Sequence, residues 1–304
     1  MVILMFFYKA HGLSIQSTIA FPELNENNFG TDVKIQYGKI NSSTNDIISE
    51  GIFRVASEFK MTEKSVFLIW NDIEICEISH GEEITVNPLT GIEENFLRAL
   101  ILGPAFGILL HQRGRLVLHA STININGGAV AFMGFNGGGK STTTAALNND
   151  GYPLVCDDIT SIEFDQDGTP VVFPGFPRIK LWPETIELFH DDLEIFPRIH
   201  SESEKRSCFT HEFSANNLPL KRIYIIEKDE KMSVEYLRPQ ESLIELIRNS
   251  YCANIFQDSE QSINLVQYAD IANKVPVKRL NTGNSLERLI ELVKIIEKDI
   301  VILE

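Results

Sequence analysis

The first ninety or so positions alternate short apolar runs with polar breaks, a period-two pattern that predicts strands over Ile3–Tyr8, Val33–Tyr37, Val66–Ile69 and Ile84–Val86. Asn25–Asp32 and Asn41–Asn45 are rich in turn residues and predict loops. The period changes from Ile92 to Gln112. Phe96, Leu97, Leu100 and Ile101 fall on one helical face, and Gly103-Pro104 predicts a kink or split in that helix.

Further on, LVLHASTINI and AVAFMGF predict a hairpin turning at Asn126-Gly127, between Leu116 and Gly134. Lys140–Leu147 predicts a helix that ends by Gly151. PLVCDD predicts a buried strand closed by two acids, and SIEFDQDGTPVVF a second hairpin turning at Asp167-Gly168. Pro183–Phe189 predicts a helix with proline in its first turn, and Ser201–Arg206 a charged loop. Arg222–Ile226 and Met232–Leu237 predict a third hairpin. Ser242–Asn249 and Leu286–Ile302 have amphipathic helical spacing, with Asn284 and Glu287 as a capping pair for the latter. Strands and helices mixed in this order predict an α/β chain of the α+β kind. A smaller N-terminal α/β domain, residues 1–112, precedes a second domain, residues 113–304.

Composition narrows the partners. The chain of 304 residues has a formal net charge of -15, which gives no general electrostatic help toward nucleic acid or anionic lipid, so neither is expected as a partner. Its four cysteines are far apart and form no CxxC, which points to reduced thiols and a cytoplasmic protein. The apolar start MVILMFFY is short and has no basic flank or small-residue cleavage site. A buried first strand is expected there rather than a signal peptide or membrane span.

The chemistry concentrates at GFNGGGKS, Gly134 to Ser141, which matches G-x-x-x-x-G-K-[ST]. Glycines let backbone N–H groups converge on phosphate oxygens, and the helix that follows turns its positive end to the same anion. The nucleotide-binding set is Gly134, Asn136, Gly137, Gly138, Gly139, Lys140, Ser141 and Thr142. Lys140 would reach the β- and γ-phosphates of ATP and Ser141 would bind Mg²⁺. Asp157 and Asp158 end the next apolar strand. Adjacent acids there allow a division of labour, one on the metal and the other orienting and deprotonating an attacking hydroxyl. Asp158 follows Lys140 by only eighteen positions. That interval is short for a switch GTPase or motor ATPase, and the hairpin leading into the loop makes the loop strand antiparallel to its predecessor.

LHASTININGGAVAFMGFNGGGKSTTTAALNNDGYPLVCDD, about forty residues, resembles the core of HPr kinase/phosphorylase, a bacterial enzyme that phosphorylates a serine of a small carrier protein. That family pairs a histidine in the strand before the loop with GxxxxGKS and an Asp-Asp after the next strand, as His119, Gly134–Ser141 and Asp157-Asp158 do here. The resemblance implies a P-loop kinase fold akin to phosphoenolpyruvate carboxykinase, with a mixed sheet. It implies Lys140 on phosphate, Ser141 and Asp157 on Mg²⁺, Asp158 as general base, His119 as its helper, and a homo-oligomer. The family segment that carries a metal-binding glutamate is replaced by VVFPGFPRIKLWPE. That leaves Glu184 and Glu163 as rivals for the role and weakens the case for a phosphorylase reaction and an HPr target. The layout of LLHQRGRLVLHAS and GFPRIKLWPE is similar to a divergent HPr-kinase-like branch, some of whose members phosphorylate the C-terminal serine of a lasso-peptide precursor.

Arg178 and Lys180 would share a face if their segment is a strand, and could grip the phosphoryl group or a peptide carboxylate. Lys205 and Arg206 could close over substrate. The expected activity is therefore ATP-dependent phosphorylation of a serine on a peptide or small protein. The alternatives are an HPr(Ser) kinase, a small-molecule kinase and a non-catalytic nucleotide-binding regulatory module.

Overall fold

The computed structural model describes residues 4–28, 30–40, 46–53, 57–88, 91–252, 255–256, 260–283 and 285–301. The expected loop Asn41–Asn45, the cap Asn284 and the ends of Ile3–Tyr8 and Leu286–Ile302 at positions 3 and 302 lie outside the described residues. The chain divides into two compact units, one made of residues 1–117 and 251–263, the other of 118–250 and 264–304. The boundary thus falls at 117/118 rather than 112/113, and a later segment returns to the first unit.

In the first unit nine strands form one sheet: β1 (Phe6–Ala10), β2 (Leu13–Ser17), β3 (Asn25–Glu26), β4 (Val33–Tyr37), β5 (Ser49–Phe53), β6 (Ser57–Met61), β7 (Ser65–Trp70), β8 (Ile73–Ser79) and β9 (Glu83–Val86). Their order is β3-β1-β2-β4-β9-β8-β7-β6-β5. The β2–β4 and β4–β9 pairs are parallel, and Ile15, Ile35 and Ile84 in these strands are fully buried. Two-residue turns with positive φ join the hairpins, His11-Gly12 between β1 and β2 and Asn71-Asp72 between β7 and β8. The expected helix is α1 (Glu94–Leu100) and α2 (Phe106–Gln112), joined by a π-helical segment, Ile101–Ala105, that contains Pro104. Proline lacks an N–H, and the π register takes up the missing bond without ending the helix.

A short strand, β10 (Leu116–Leu118), ends at the boundary. The second unit has β11 (Ala120–Ile125), β12 (Gly128–Met133), α3 (Lys140–Asn149), β13 (Leu154–Cys156), β14 (Thr160–Phe164), β15 (Pro170–Phe173), β16 (Arg178–Leu181), α4 (Pro183–Ile186), β17 (Arg206–Phe209), β18 (Leu218–Glu227), β19 (Ser233–Tyr236) and α5 (Pro239–Arg248). It is completed by α6 (Glu260–Lys274), whose start belongs to the first unit, β20 (Val277–Asn281) and α7 (Leu289–Val301). The sheet runs β14-β15-β18-β12-β11-β13, with β20 also on β18 and β19 on β20. β12 lies antiparallel to β11 and parallel to β18, and all six of its residues are buried. The expected third hairpin is not formed. β18 and β19 each pair with β20 instead, because the parallel β18–β20 ladder occupies the edge that β19 would have used. Ser285 accepts from the Glu287 N–H, 3.2 Å, in the turn that leads into α7.

The core of this unit packs Ile123, Phe132, Leu147, Tyr224 and Ile296 between the sheet and helices α3 and α7. Phe132 and Tyr224 stack with ring centroids 5.5 Å apart. Beneath this stack Asp299 of α7 receives Lys278 Nζ at 2.6 Å, the Tyr224 hydroxyl at 2.6 Å and the Arg222 guanidinium. Arg222 and Lys278 are 4% and 2% exposed, so their one shared carboxylate compensates two buried cations. Burial works to raise the Asp299 pKa. The hydrogen bonds from Lys278 and Tyr224 and the two neighbouring cations outweigh it and hold the carboxyl below its ordinary value.

Asp299→Ala should cost about 3 kcal/mol in urea unfolding, since it strands both cations. A carboxyl whose folded pKa is depressed stabilises fully above its unfolded value, about 4, and its contribution fades as pH falls through the folded value. Acidification below about pH 4 should therefore destabilise the wild-type chain more steeply than Asp299→Asn.

Candidate functional site

The glycine-rich loop begins where β12 ends, and its shape follows from the hairpin and the neighbouring strand. Asn126 and Gly127, at φ 51° and 78°, form the tight turn that sets β11 against β12 with Ala120 opposite Met133. β12 then delivers Gly134 beside the end of β18. Gly134 has φ +148°, and a Cβ there would sit 2.8 Å from the Ile226 carbonyl oxygen, so only glycine fits. The Gly138 N–H closes the loop on the Phe135 carbonyl at 3.0 Å. Gly137 and Gly139 also have positive φ, but the space where their Cβ atoms would lie is open. α3 starts directly after Gly139, and no side chain caps it. The loop and the first turn of the helix therefore offer backbone donors to an anion. Lys140 is folded back on the loop, with Nζ donating to the Gly134 carbonyl at 2.7 Å and the Phe135 carbonyl at 3.2 Å.

Asp157, just past the end of β13, is held from three directions. Ser121 on β11 and Ser141 on α3 donate to its Oδ1, the latter at 2.9 Å, and the Lys180 backbone N–H donates to Oδ2 at 2.8 Å. Asp158 occupies the next position at φ +72°, in a three-residue turn closed by Ile159 N–H to the Asp157 carbonyl at 2.9 Å. A turn of this hand is rare and strained for a side chain other than glycine. It directs the Asp158 carboxylate toward His119 Nε2, 3.0 Å from Oδ1, and Lys180 Nζ, 3.2 Å from Oδ2. His119 stands in a break between β10 and β11, where its N–H bonds the Asn249 carbonyl at 2.9 Å and not a strand partner. Asp158 is 29% exposed, and an incoming group can reach it.

Beneath the two acids, Thr160 shares its hydroxyl with Thr122 at 2.8 Å and donates to the Ala120 carbonyl. The Cys156 thiol lies 3.3 Å from the same hydroxyl, and burial pushes its pKa up to about 12. Burial likewise raises Cys208 to about 12, and all four cysteines are buried.

The structure thus brings Gly134–Thr142, Ser141, Asp157, Asp158, His119 and Lys180 into one site. Arg178 lies two residues along β16, on the same face as Lys180. Lys205 reaches over the Trp182 ring, 5.3 Å from its centroid. Arg206 departs from expectation. It begins β17, is 6% exposed and spends its guanidinium on Glu194 at 2.6 Å and the Phe196 carbonyl at 2.9 Å, which gives it a structural place. Of the two rival glutamates, Glu163 lies within β14 opposite Val171. Glu184 is exposed in α4, whose Thr185 hydroxyl lies 3.2 Å from that of Thr142 in the first turn of α3. Ser121 was not foreseen. Its signal was its place two residues after His119 in a strand that leads to the loop.

The donor set fits a polyphosphate and a hard divalent cation. The glycine cradle is open, the helix start is uncapped, and a hydroxyl and a carboxylate stand together at Ser141 and Asp157. Among the described residues no group of three or more His, Cys, Asp or Glu side chains is arranged to hold a metal. Mg²⁺ here would share its coordination between Ser141, Asp157, a ligand's phosphate oxygens and water.

No protein-family model and no curated protein matches the chain. Among solved structures, the HPr(Ser) kinase/phosphatase from Coxiella burnetii aligns over 62% of this chain and 97% of its own, with 15% identity and a TM-score of 0.34. A likeness that weak carries no functional weight. Among the described residues no helix is long and apolar enough to cross a membrane.

Gly134→Ala should lower stability by about 3 kcal/mol, because its methyl meets rigid backbone. Gly139→Ala should cost only about 1 kcal/mol, its φ strain alone. Urea titration of both variants measures the contrast, and a smaller loss at Gly134 than at Gly139 contradicts the packing described.

Proposed function

We propose that the second unit is a Mg·ATP-dependent kinase that phosphorylates a serine hydroxyl on a peptide or small protein. The observation that carries this reading is the pair of adjacent carboxylates with different surroundings. Asp157 is engaged with the helix start through Ser141, while Asp158 is held between His119 and Lys180 and still accessible. A switch or a motor needs an acid for its metal. The second, separately oriented acid is the feature expected of a site that takes a proton from an acceptor hydroxyl.

The roles follow from position. The Gly137–Gly139 backbone and the start of α3 hold the phosphates of ATP, and Lys140 moves from the loop carbonyls to the β- and γ-phosphate oxygens. Ser141 and Asp157 would hold Mg²⁺, which when bound would offset the charge of the phosphate oxygens. Asp158 accepts the proton of the serine hydroxyl. The serine oxygen bonds to the γ-phosphorus as the bond from that phosphorus to the β–γ bridging oxygen breaks, leaving ADP. His119 and Lys180 fix the carboxylate in place, so that little reorganisation is left for the transfer itself. Arg178, on the same face of β16 as Lys180, is placed to take a carboxylate of a polypeptide acceptor. The serine of a phosphocarrier and the C-terminal serine of a lasso-peptide precursor are the acceptors that the sequence resemblance brings forward.

Asp158→Asn should lower peptide phosphorylation by roughly 10²–10⁴-fold while leaving Mg·ATP binding, measured by calorimetry, nearly intact. Undiminished phosphorylation would remove the base assignment. A nucleotide-binding module without transfer would bind ATP equally well in both forms and phosphorylate nothing in either.

A further inference from the structure

β16 and β17 form a two-stranded ribbon of their own, in the register Arg178↔Phe209, Ile179↔Cys208, Lys180↔Ser207 and Leu181↔Arg206. Alternation sends Ile179, Leu181, Arg206 and Cys208 inward, where all four are buried. The outer face carries Arg178, Lys180, Ser207 and Phe209, and the same parity takes in Trp182 and Lys205 just beyond the paired residues. Those six positions hold three cations and two aromatic rings, and no acid. The Arg178 guanidinium lies 5.0 Å from the Phe209 ring centroid, and the Lys205 ammonium 5.3 Å from that of Trp182. Both rings are exposed, at 45% and 42%. The whole chain has 27 basic against 42 acidic residues, so this face inverts the sign of the molecule. It also leads to the candidate base, because Lys180 Nζ is 3.2 Å from Asp158 Oδ2.

The geometry points to this face as the docking strip for the phosphoryl acceptor, and to the acceptor as an acidic polypeptide whose serine is flanked by carboxylates; this rests on the kinase reading above. Exposed lysines and arginines ordinarily lose much of an ion pair's gain to side-chain entropy. Here the rings hold two of the three cations in place before any partner arrives, which lowers that loss. A strand repeats its facing every two residues, roughly 7 Å, on ribbon and extended acceptor alike, so alternate acceptor side chains meet successive ribbon positions. Arg178 can take a carboxylate through two parallel N–H bonds. A nucleic acid could stack on the same rings, but its many charges would meet the field of a chain with net charge -15. A short acidic segment engages the strip with few charges and is screened from the rest.

The test uses the full chain with Mg·ATP and three short peptides, each with one serine flanked by glutamates, by glutamines or by lysines. The glutamate peptide should show a KM at least about tenfold below its glutamine counterpart, and the lysine peptide the highest. Combined Arg178→Glu and Lys205→Glu should erase that order, and Lys205→Glu alone should weaken it. Lys221→Glu, an equal charge change on an exposed residue away from the ribbon, should leave it. Without nucleotide, the glutamate peptide should change Trp182 fluorescence, a signal absent in Trp182→Phe and reduced by salt. Equal KM values for the glutamate and glutamine peptides, or a preference that survives the double substitution, overturn the docking strip and leave the kinase reading standing. A fluorescence response to oligothymidine or anionic vesicles but not to the glutamate peptide also overturns it. Glutamate-dependent binding that the double substitution abolishes, with no phosphate transferred to any serine, keeps the strip and overturns the kinase reading.

Discussion

The carboxylate of Asp157 ties together four elements that are separate in sequence. Ser121 reaches it from β11, Ser141 from α3 and the Lys180 N–H from β16, while the residue itself closes β13. Each of those contacts fixes something the site needs. The Ser141 contact sets the start of the helix, and with it the glycine loop. The Lys180 contact sets the ribbon, and with it the ammonium that reaches Asp158. Charge-assisted hydrogen bonds of this kind are strong and directional, so one residue positions both the proposed phosphate side and the proposed acceptor side.

Strain is concentrated at the neighbouring position. Asp158 holds a left-handed backbone that glycine would adopt at lower cost, by roughly 1–2 kcal/mol. The strained backbone presents the Asp158 carboxylate to His119 and Lys180. The buried hydroxyl network of Thr122 and Thr160 below the turn, and the Gly175 N–H bond to the Val155 carbonyl at 2.9 Å beside it, anchor the flanking backbone that keeps it in this shape.

Much of the second unit was legible from local signals. The Asn126-Gly127 and Asp167-Gly168 turns, the strand closed by two acids and the helix after the glycine loop are all short-range patterns, and each has a mechanism. What was not legible depended on pairing at a distance. β18 and β19 read as a hairpin, but β20, some fifty residues downstream, takes the edge between them. Arg206 read as a mobile charge because its partner Glu194 and its place in β17 depend on the ribbon register. α6 escaped notice because its apolar residues do not repeat with a clear helical period. In the first unit β2, β3, β5, β6 and β8 were missed, β3 inside the expected loop Asn25–Asp32, because such short segments of mixed polar and apolar residues carry little local signal. The candidate site was more legible than the fold, because glycine, lysine, serine and acid at fixed spacing reflect chemistry, whereas tertiary pairing leaves no comparable mark.

On the proposed reading, the loop, the two acids, His119 and Lys180 form the place where a phosphoryl group is held and a hydroxyl is deprotonated. The most direct test is stoichiometric. The wild-type chain is incubated with Mg·ATP and a serine-bearing acidic peptide, and ADP formed is compared with phosphoserine by mass spectrometry. The account predicts one phosphoserine per ADP, with little free phosphate. ADP released with free phosphate and an unmodified peptide, or ATP left unconsumed, would contradict it.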